Sequence, residues 1–293
     1  EVFGQKISMP VIIAPTAFHK MAHIEGEVAV AKAATKAGTI MILSTLSNSS
    51  VEEVVKASSG NIWFQLYVFK DREITKSLVK RVEDAGCKAL VLTVDAPLLG
   101  QRERDIRNKF NLPDGFTVKN LEPFYKEKLS LKHDSGIAGY FSENLDPSLN
   151  WKDIDWIKSI TKLPILIKGI SCKEDALLSI EYGADGIVVS NHGGRQLDTC
   201  RASIEVLPEI ADAVYGKTEI YMDGGIRRGT DVLKAIALGA KAVFIGRPVL
   251  WGLSFDGESG VSSVLEILRN EFDLAIALCG CTSVEKITKD LIV

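Results

Sequence analysis

The sequence predicts an α/β fold in which eight parallel strands alternate with helices and close into a (β/α)8 TIM barrel. Eight short, mostly continuous apolar runs recur along the 293 residues, and such runs are typical of parallel strands covered on both faces. Stretches with helical periodicity lie between them, and several of these end in glycine just before the next run. No strand opens onto the G-x-G-x-x-G fingerprint that the rival open, doubly wound sheet would carry.

Each element can be placed on the chain. The predicted strands are 10–16, 39–45, 62–68, 89–95, 164–169, 186–191, 219–225 and 242–248. Stretches such as EGEVAVAKAATKAG and REITKSLVKRVEDAG supply the helices, and 259–293 is predicted as two amphipathic helices. One connection, 96–150, is far longer than the others, which is typical of functional loops. We therefore treat 1–293 as one domain with 96–150 as a lid over the carboxyl ends of the strands.

Composition excludes several classes of function. The chain is 46% hydrophobic with a formal net charge of −3, and it has no basic run, so a nucleic-acid partner is not expected. No apolar stretch approaches the length of a membrane span, and the N-terminus lacks the pattern of a secretory signal. Five scattered cysteines favour a reducing, intracellular setting. The Cys279–Cys281 pair lacks further ligands at metal spacing, so no metal site is expected.

Polar side chains stand at the carboxyl end of all eight predicted strands, where barrel enzymes place their chemistry. Any one of them could be a satisfied structural residue, but eight together predict a polar pocket. Lysine within an apolar run needs an anionic partner. In strand order the residues are Thr16, Ser44, Gln65, Tyr67, Thr93, Asp95, Lys168, Ser190, His192, Asp223, Arg227 and Arg247, with the glycines Gly225 and Gly246 beside the last two.

The loops after the last two strands, DGGIRRG and IGRP, combine glycine and arginine. Glycine lets backbone N–H groups approach a ligand, and arginine grips an anion. These loops are the usual phosphate site of this fold, so a phosphate of a cofactor or substrate is expected here. On this evidence alone, a phosphosugar isomerase or an IMP dehydrogenase-like enzyme stays possible.

Longer motifs narrow the choice. The chain contains, from its N-terminus to its C-terminus, the motifs WFQLYVFKDR, LTVDAPLLGQRERDIRNKF, LPILIKG, SNHGGRQLD, DGGIRRGTDVLKAIALGA and FIGRP. With them, the sequence resembles the FMN-dependent L-2-hydroxy acid oxidases and dehydrogenases, the group of glycolate oxidase and lactate oxidase, from Gly4 to about Thr288. The resemblance implies an enzyme that oxidises a small L-2-hydroxy acid to the 2-oxo acid, with FMN as cofactor.

The resemblance also implies roles for the polar residues. His192 would be the base that takes a proton from the substrate while a hydride equivalent passes to flavin N5; whether the proton leaves oxygen or carbon stays open. Asp95 would stabilise the protonated form of His192. Arg195, helped by Arg102 on the lid, would hold the substrate carboxylate, and Tyr67 would donate a hydrogen bond to the substrate.

For the cofactor, the resemblance places Lys168 near flavin N1 and Asp223 on the ribityl chain. The flavin ring would be bound by Thr16, Ser44, Gln65 and Thr93, and Ser190 would be a further cofactor-binding residue. The phosphate would be held by Gly225, Arg227, Gly246 and Arg247.

Two departures from the family pattern bear on activity. Members of the resembled family carry a segment ahead of the barrel with a substrate-binding tyrosine in a Y-Y-x-S-G-A-type motif, and the printed sequence starts after that point. An FMN-binding barrel without turnover is therefore an alternative. Glycolate oxidases typically place Trp where this chain has Leu46, and lactate-using relatives place an aromatic residue near Phe141. Both residues favour L-lactate over glycolate.

The remaining expectations concern partners and location. The resemblance implies reoxidation by O2, giving H2O2, although another electron acceptor stays open. It also implies a homo-oligomer, commonly a tetramer. A cytoplasmic or peroxisomal location is expected, although the sequence ends Leu291-Ile292-Val293 rather than in a peroxisomal tripeptide.

Overall fold

The computed structural model describes residues 1–58, 61–124, 139 and 143–292. Eight strands form a closed parallel barrel in sequence order, and β1 pairs with β8 to complete it. The strands are β1 (Val11–Ile13), β2 (Met41–Ser44), β3 (Ile62–Leu66), β4 (Leu90–Thr93), β5 (Ile165–Ile170), β6 (Gly186–Val189), β7 (Glu219–Asp223) and β8 (Ala242–Ile245). The predicted (β/α)8 TIM barrel is therefore confirmed.

Helices connect successive strands on the outside of the barrel. They are α1 (Gly26–Ala37), α2 (Val51–Ala57), α3 (Arg72–Asp84), α4 (Glu103–Arg107), α5 (Lys152–Ile160), α6 (Lys173–Glu181), α7 (Ser203–Val214), α8 (Gly229–Ala237) and α9 (Arg247–Leu278). A short 3-10 helix, His19–Met21, precedes α1. The lid segment predicted over 96–150 contains α4, and an isolated bridge joins Leu145 to Phe69 after β3.

Alternation along each strand separates two cores. On β3, Ile62 and Phe64 belong to the apolar layer between barrel and helices, whereas Trp63 belongs to the barrel interior. Successive side chains of a strand point to opposite faces, so Gln65 shares the inward face of Trp63. On β5, Leu166 lies in the barrel interior. Lys168 follows it by two residues and therefore also points inward. The barrel interior is thus apolar along most of its length and becomes polar at the carboxyl ends of the strands.

An aromatic cluster fills the amino-terminal end of the barrel. The Phe3 and Trp63 rings lie 5.7 Å apart, and Trp63 and Tyr221 meet edge to face at 5.9 Å. Tyr221 also contacts Phe244, at 5.4 Å. Phe3 is held by its main-chain N–H, which donates to Glu219 Oε2 at 3.3 Å. This packing closes one mouth of the barrel and leaves the carboxyl end as its open mouth.

The C-terminal region differs from the prediction of two helices over 259–293. Helix α9 begins at Arg247, bends where Asp256 and Gly257 leave helical geometry, and continues to Leu278. Beyond it lie only the short 3-10 turns Val284–Lys286 and Lys289–Leu291. The prediction of a second amphipathic helix there was wrong, because Gly280, in the left-handed conformation, follows the end of α9 and diverts the chain.

The bend in α9 brings its two arms into close contact. A Cβ atom on Gly260 would lie 1.9 Å from the carbonyl oxygen of Gly252, so only glycine fits there without movement of the backbone. This contact sets the course of the helix that packs along α1 and α8 on the outside of the barrel.

We expect Gly260→Ala to lower the free energy of unfolding by about 1–3 kcal/mol, because the added methyl group overpacks this contact. Urea unfolding followed by circular dichroism would measure the change. Ser259→Ala, on the exposed side of the same turn, is the matched control and should change stability by less than about 0.5 kcal/mol. Equal stability of the two variants would contradict the packing argument.

Candidate active site

A cavity of about 500 Å³ opens at the carboxyl end of the barrel. It collects side chains from the ends of many strands, as the sequence predicted. Its lining includes Thr16, Ser44, Leu46, Gln65, Tyr67, Thr93, Arg102, Lys168, His192, Arg195, Asp223, Gly225, Arg227, Gly246 and Arg247. Asp95 and Ser190 lie behind this lining, hydrogen-bonded to residues that form it. Phe141 lies outside the described residues.

A buried ion network forms the floor of the cavity. Lys168 is 4% exposed, and its Nζ lies 3.1 Å from Asp223 Oδ2 and 3.9 Å from Asp95 Oδ2. The Ser190 hydroxyl accepts a hydrogen bond from Lys168 Nζ at 2.9 Å and donates one to Asp223 Oδ1 at 2.5 Å. Burial lowers the pKa of Lys168, but the two carboxylates more than offset this and hold that pKa above its ordinary value. Lys168 is therefore a charged lysine inside the barrel.

His192 is paired with one of these carboxylates. Its Nδ1 lies 2.8 Å from Asp95 Oδ1, and its main-chain N–H donates to Ser190 Oγ at 3.1 Å. Burial raises the pKa of Asp95, but the charge of Lys168 and the bond to His192 outweigh it and leave this pKa below its usual range. An ionised Asp95 directs the Nδ1 proton of His192 toward itself and leaves Nε2 for a ligand in the cavity.

Arg102 and Arg195 both line the cavity, although they lie far apart in sequence. Gln196 joins their segments: its Nε2 donates to the carbonyl oxygens of Asp95 and Leu98 at 3.0 and 2.9 Å, and its Oε1 accepts from Gly100 N–H at 3.1 Å. A Cβ atom on Gly100 would lie 2.4 Å from the main-chain oxygen of Arg195. The start of the 96–150 segment is thereby held against the β6–α7 loop.

The two guanidinium groups affect each other. Burial and the nearby charge of Arg195 lower the pKa of Arg102 below its ordinary value. Among the described residues, Arg102 Nε is buried without a hydrogen-bond partner. Two cations facing one cavity, one with an unsatisfied donor, form a site for an anion such as a carboxylate.

Tyr67 and Leu46 lie on the wall of the same cavity. Burial raises the pKa of Tyr67 well above its ordinary value, and the charge of Asp95 adds to the effect, so the phenol stays protonated and can donate a hydrogen bond. Leu46 presents an apolar side chain, and its main-chain N–H is held by the Ser44 hydroxyl at 3.1 Å.

The far end of the cavity carries two further arginines. The Arg227 guanidinium lies 5.0 Å from the centre of the Trp251 ring, and its Nη1 donates to the Ile226 carbonyl. Arg247 Nη2 donates to the Gly193 carbonyl at 3.0 Å. Within the described part of the chain neither guanidinium forms a salt bridge, so both positive charges are available to an anion such as a phosphate.

Comparison with known proteins agrees with this geometry. The family model described as FMN-dependent dehydrogenase matches residues 1–293. The chain belongs to the FMN-dependent dehydrogenase family. Its resemblance to this family was predicted from the motifs and is confirmed.

Individual members of the FMN-dependent dehydrogenase family are similar over nearly the whole chain. Glycolate oxidase 3 of Arabidopsis thaliana is 54% identical over 288 residues, which are 98% of this chain and 78% of that protein. 2-Hydroxyacid oxidase 1 of Homo sapiens is 51% identical over 295 residues, covering 99% and 80% of the two chains. A structure of mandelate oxidase with (S)-4-hydroxymandelic acid has a TM-score of 0.91 at 44% identity, covering 97% and 80%.

The residues present fit the FMN of this family. Gln65 Nε2 and Thr93 Oγ1 are buried at the cavity without a hydrogen-bond partner among the described residues, and a flavin ring offers both donors and acceptors. The cation of Lys168 lies beside them, and Arg227 and Arg247 stand at the phosphate position of this fold. The cavity therefore has polar groups for a ring and positive charge for a phosphate, as an FMN site requires.

Some residues of the site carried no distinctive sequence signal. Phe18, Met21, Asp105, Phe110 and Leu250 also line the cavity. Buried Glu27, on α1, accepts hydrogen bonds from the main-chain N–H groups of two successive loops. Glu27 lay in an unremarkable helical pattern, and nothing there predicted burial. Asp105, Phe110 and Gln196 are exceptions, because they stand inside the quoted motifs, which could have pointed to them.

Two further findings concern the described residues alone. They contain no group of three or more His, Cys, Asp or Glu side chains that could hold a metal ion. No helix in that part of the chain is long and apolar enough to cross a membrane.

We expect Lys168→Met to lower the free energy of unfolding at pH 7 by about 3–5 kcal/mol, because two buried carboxylates lose their cation. The low pKa of Asp95 contributes stability above the ordinary aspartate pKa of about 3.9, and this contribution is lost as pH falls through the native-state value. The difference between parent and variant should therefore shrink in acid. Urea unfolding from pH 7 down to about pH 2 would measure it, because the loss begins only below the ordinary aspartate pKa.

Lys162→Met is the matched control, because Lys162 is exposed just before β5. It should change stability by less than about 0.5 kcal/mol at any of these pH values. A Lys168→Met effect that is small, or that stays constant with pH, would contradict the assignment of a charged, paired lysine.

Proposed function

We propose that this protein oxidises a small L-2-hydroxy acid to the corresponding 2-oxo acid, with L-lactate preferred over glycolate and O2 as electron acceptor. One observation carries the proposal: the His192–Asp95 pair and the two arginines Arg102 and Arg195 converge on one cavity that fits FMN. A base beside a carboxylate-binding pair is what the oxidation of a 2-hydroxy acid requires. The names of the relatives, glycolate oxidase, 2-hydroxyacid oxidase and mandelate oxidase, support the same substrate class.

The substrate is held by its carboxylate. Arg102 and Arg195 bind the two carboxylate oxygens, and the bound anion relieves the repulsion between the guanidinium groups. Tyr67 adds a neutral hydrogen-bond donor. These contacts orient the substrate α-carbon relative to the base. The substrate then loses its translational and rotational freedom on binding rather than in the reaction step, which lowers the activation barrier.

His192 acts as the base. Its Nε2 takes a proton from the substrate, and the ionised Asp95 at 2.8 Å stabilises the imidazolium that forms. When bound, FMN supplies a two-electron acceptor that O2 can regenerate with release of H2O2. Lys168 contributes a positive charge at the cavity floor, which favours negative charge on a bound ring.

The other predicted contacts complete the proposal. Thr16, Ser44, Gln65 and Thr93 hydrogen-bond the flavin ring, with Ser190 holding Lys168 in place behind them. Gly225, Arg227, Gly246 and Arg247 bind the phosphate. We assign Asp223 to the ribityl chain as well, although its carboxylate oxygens also contact Ser190 and Lys168. The lid over 96–150 stays a prediction, and Arg102 lies among its described residues 96–124. The tetramer and a cytoplasmic or peroxisomal location stay predictions.

The visible spectrum tests the proposal. We expect the FMN-loaded protein to be yellow and to bleach on anaerobic addition of L-lactate, with pyruvate formed in equal amount. His192→Gln should retain FMN but slow bleaching by about 10²–10⁴-fold, because it lacks a base. His23→Gln, at a partly exposed loop position, is the matched control and should bleach like the parent.

The outcomes separate the alternatives. If the protein binds FMN but neither mandelate nor any other 2-hydroxy acid bleaches it, the result supports an FMN-binding barrel without turnover. A protein that cannot be loaded with FMN would overturn the proposal. Bleaching of His192→Gln at the parent rate would leave the reaction intact and reject the role of His192.

Substrate size is tested at Leu46. We expect Leu46→Trp to raise the ratio of kcat/KM for glycolate to that for L-lactate roughly tenfold, because the larger ring fills the space taken by the lactate methyl group. Steady-state oxidation of the two acids measures this ratio. Leu177→Trp, on the exposed face of α6, is the control. An unchanged ratio in Leu46→Trp would argue against the size explanation.

A further inference from the structure

His19 is a buried imidazole that lies outside the cavity but touches its lining. It is 1% exposed, and its Nε2 lies 2.5 Å from Oγ1 of Thr16, which lines the cavity. The main-chain N–H of His19 donates to Glu27 Oε1 at 3.1 Å. Glu27 is itself fully buried and also accepts from Asn48 N–H at 2.9 Å. The backbone that carries the imidazole is thus tied to helix α1.

The surroundings of Nδ1, the second ring nitrogen, determine which tautomer His19 adopts. Among the described residues, Nδ1 of His19 is buried without a hydrogen-bond partner. Leaving a buried N–H group unbonded costs the full desolvation of that donor, whereas an unbonded acceptor is tolerated better. Burial lowers the pKa of His19 despite the opposing charge of Glu27, so the ring is neutral. The tautomer with its proton on Nε2, donated to Thr16 Oγ1, satisfies these conditions best.

The tautomer determines what Thr16 can do. A hydroxyl group has one proton to donate. When Oγ1 accepts from His19, that proton is free to point into the cavity, whereas the opposite tautomer would consume it on Nε2. We propose that His19 is a positioning residue that makes the Thr16 hydroxyl a hydrogen-bond donor to an acceptor atom of FMN. The inference rests on the proposed function, since it requires FMN in this cavity.

A double-mutant cycle tests the coupling between the two residues. FMN dissociation constants are measured by fluorescence titration for the parent, His19→Leu, Thr16→Val and the double variant. We expect each single variant to weaken FMN binding roughly five- to tenfold, the size of one lost hydrogen bond. The double variant should be no weaker than Thr16→Val, because His19 acts only through that hydroxyl.

Two matched variants control for packing. His19→Gln can place its amide Nε2–H near the position of the imidazole Nε2–H, so it should bind FMN within about twofold of the parent. His23→Leu, on the same loop, should also stay within about twofold. If His19→Leu weakens FMN binding by the same factor in the Thr16→Val background as in the parent, that result would overturn the inference and indicate a structural role for His19.

The tautomer itself can be observed in the unaltered chain, which keeps the inference testable if His19→Leu does not fold. The chain has only four histidines, so ¹⁵N-histidine labelling gives few ring signals, and His19→Gln assigns those of His19. We expect a proton on Nε2 and none on Nδ1 at pH 7. A proton on Nδ1 would overturn the inference while leaving the proposed function intact. Failure of the parent to bind FMN would instead overturn the proposed function and the cofactor role of His19 together.

Discussion

The site depends on one buried cation, Lys168, held between the carboxylates of Asp95 and Asp223. Taking a lysine out of water costs several kcal/mol, and here the cost is offset by two opposite charges and the Ser190 hydroxyl. The pairing reaches beyond the lysine, because it keeps Asp95 ionised and Asp95 in turn orients His192. The position of the proposed base is therefore tied to the charge at the cavity floor.

The barrel makes such a network possible by its alternation. Inward side chains below the network are apolar and tightly packed around Trp63 and Tyr221, so water is excluded from beneath. Charges in such surroundings interact more strongly than in water. The register of neighbouring strands then sets which polar residues meet: Ser44 lies beside Gln65, and Thr93 beside Lys168. One ring of inward positions thus becomes a binding surface without loss of the core below it.

The loops above this ring are joined to one another through side chains. Gln196 and Gly100 hold the start of the 96–150 segment to the β6–α7 loop. Buried Asn120, from the same segment, accepts from Val51 N–H and donates to Ser47 Oγ near Leu46. Arg102, Arg195 and Leu46 arise from three different loops. These contacts between the loops bring all three residues into one cavity.

The barrel could be predicted from the sequence because eight short apolar runs mark its strands. The residues at its open end could be predicted because polar groups stand where each run ends. It did not reveal the end of α9, where a tight Cys-Gly-Cys turn interrupts an amphipathic pattern. Nor did it show which partner each polar side chain takes, such as Asp223 with Lys168 or His19 with Thr16. Those pairings become visible only in the folded chain, because most of them join different strands and loops. Whether a buried group is satisfied depends on distances that sequence spacing does not contain.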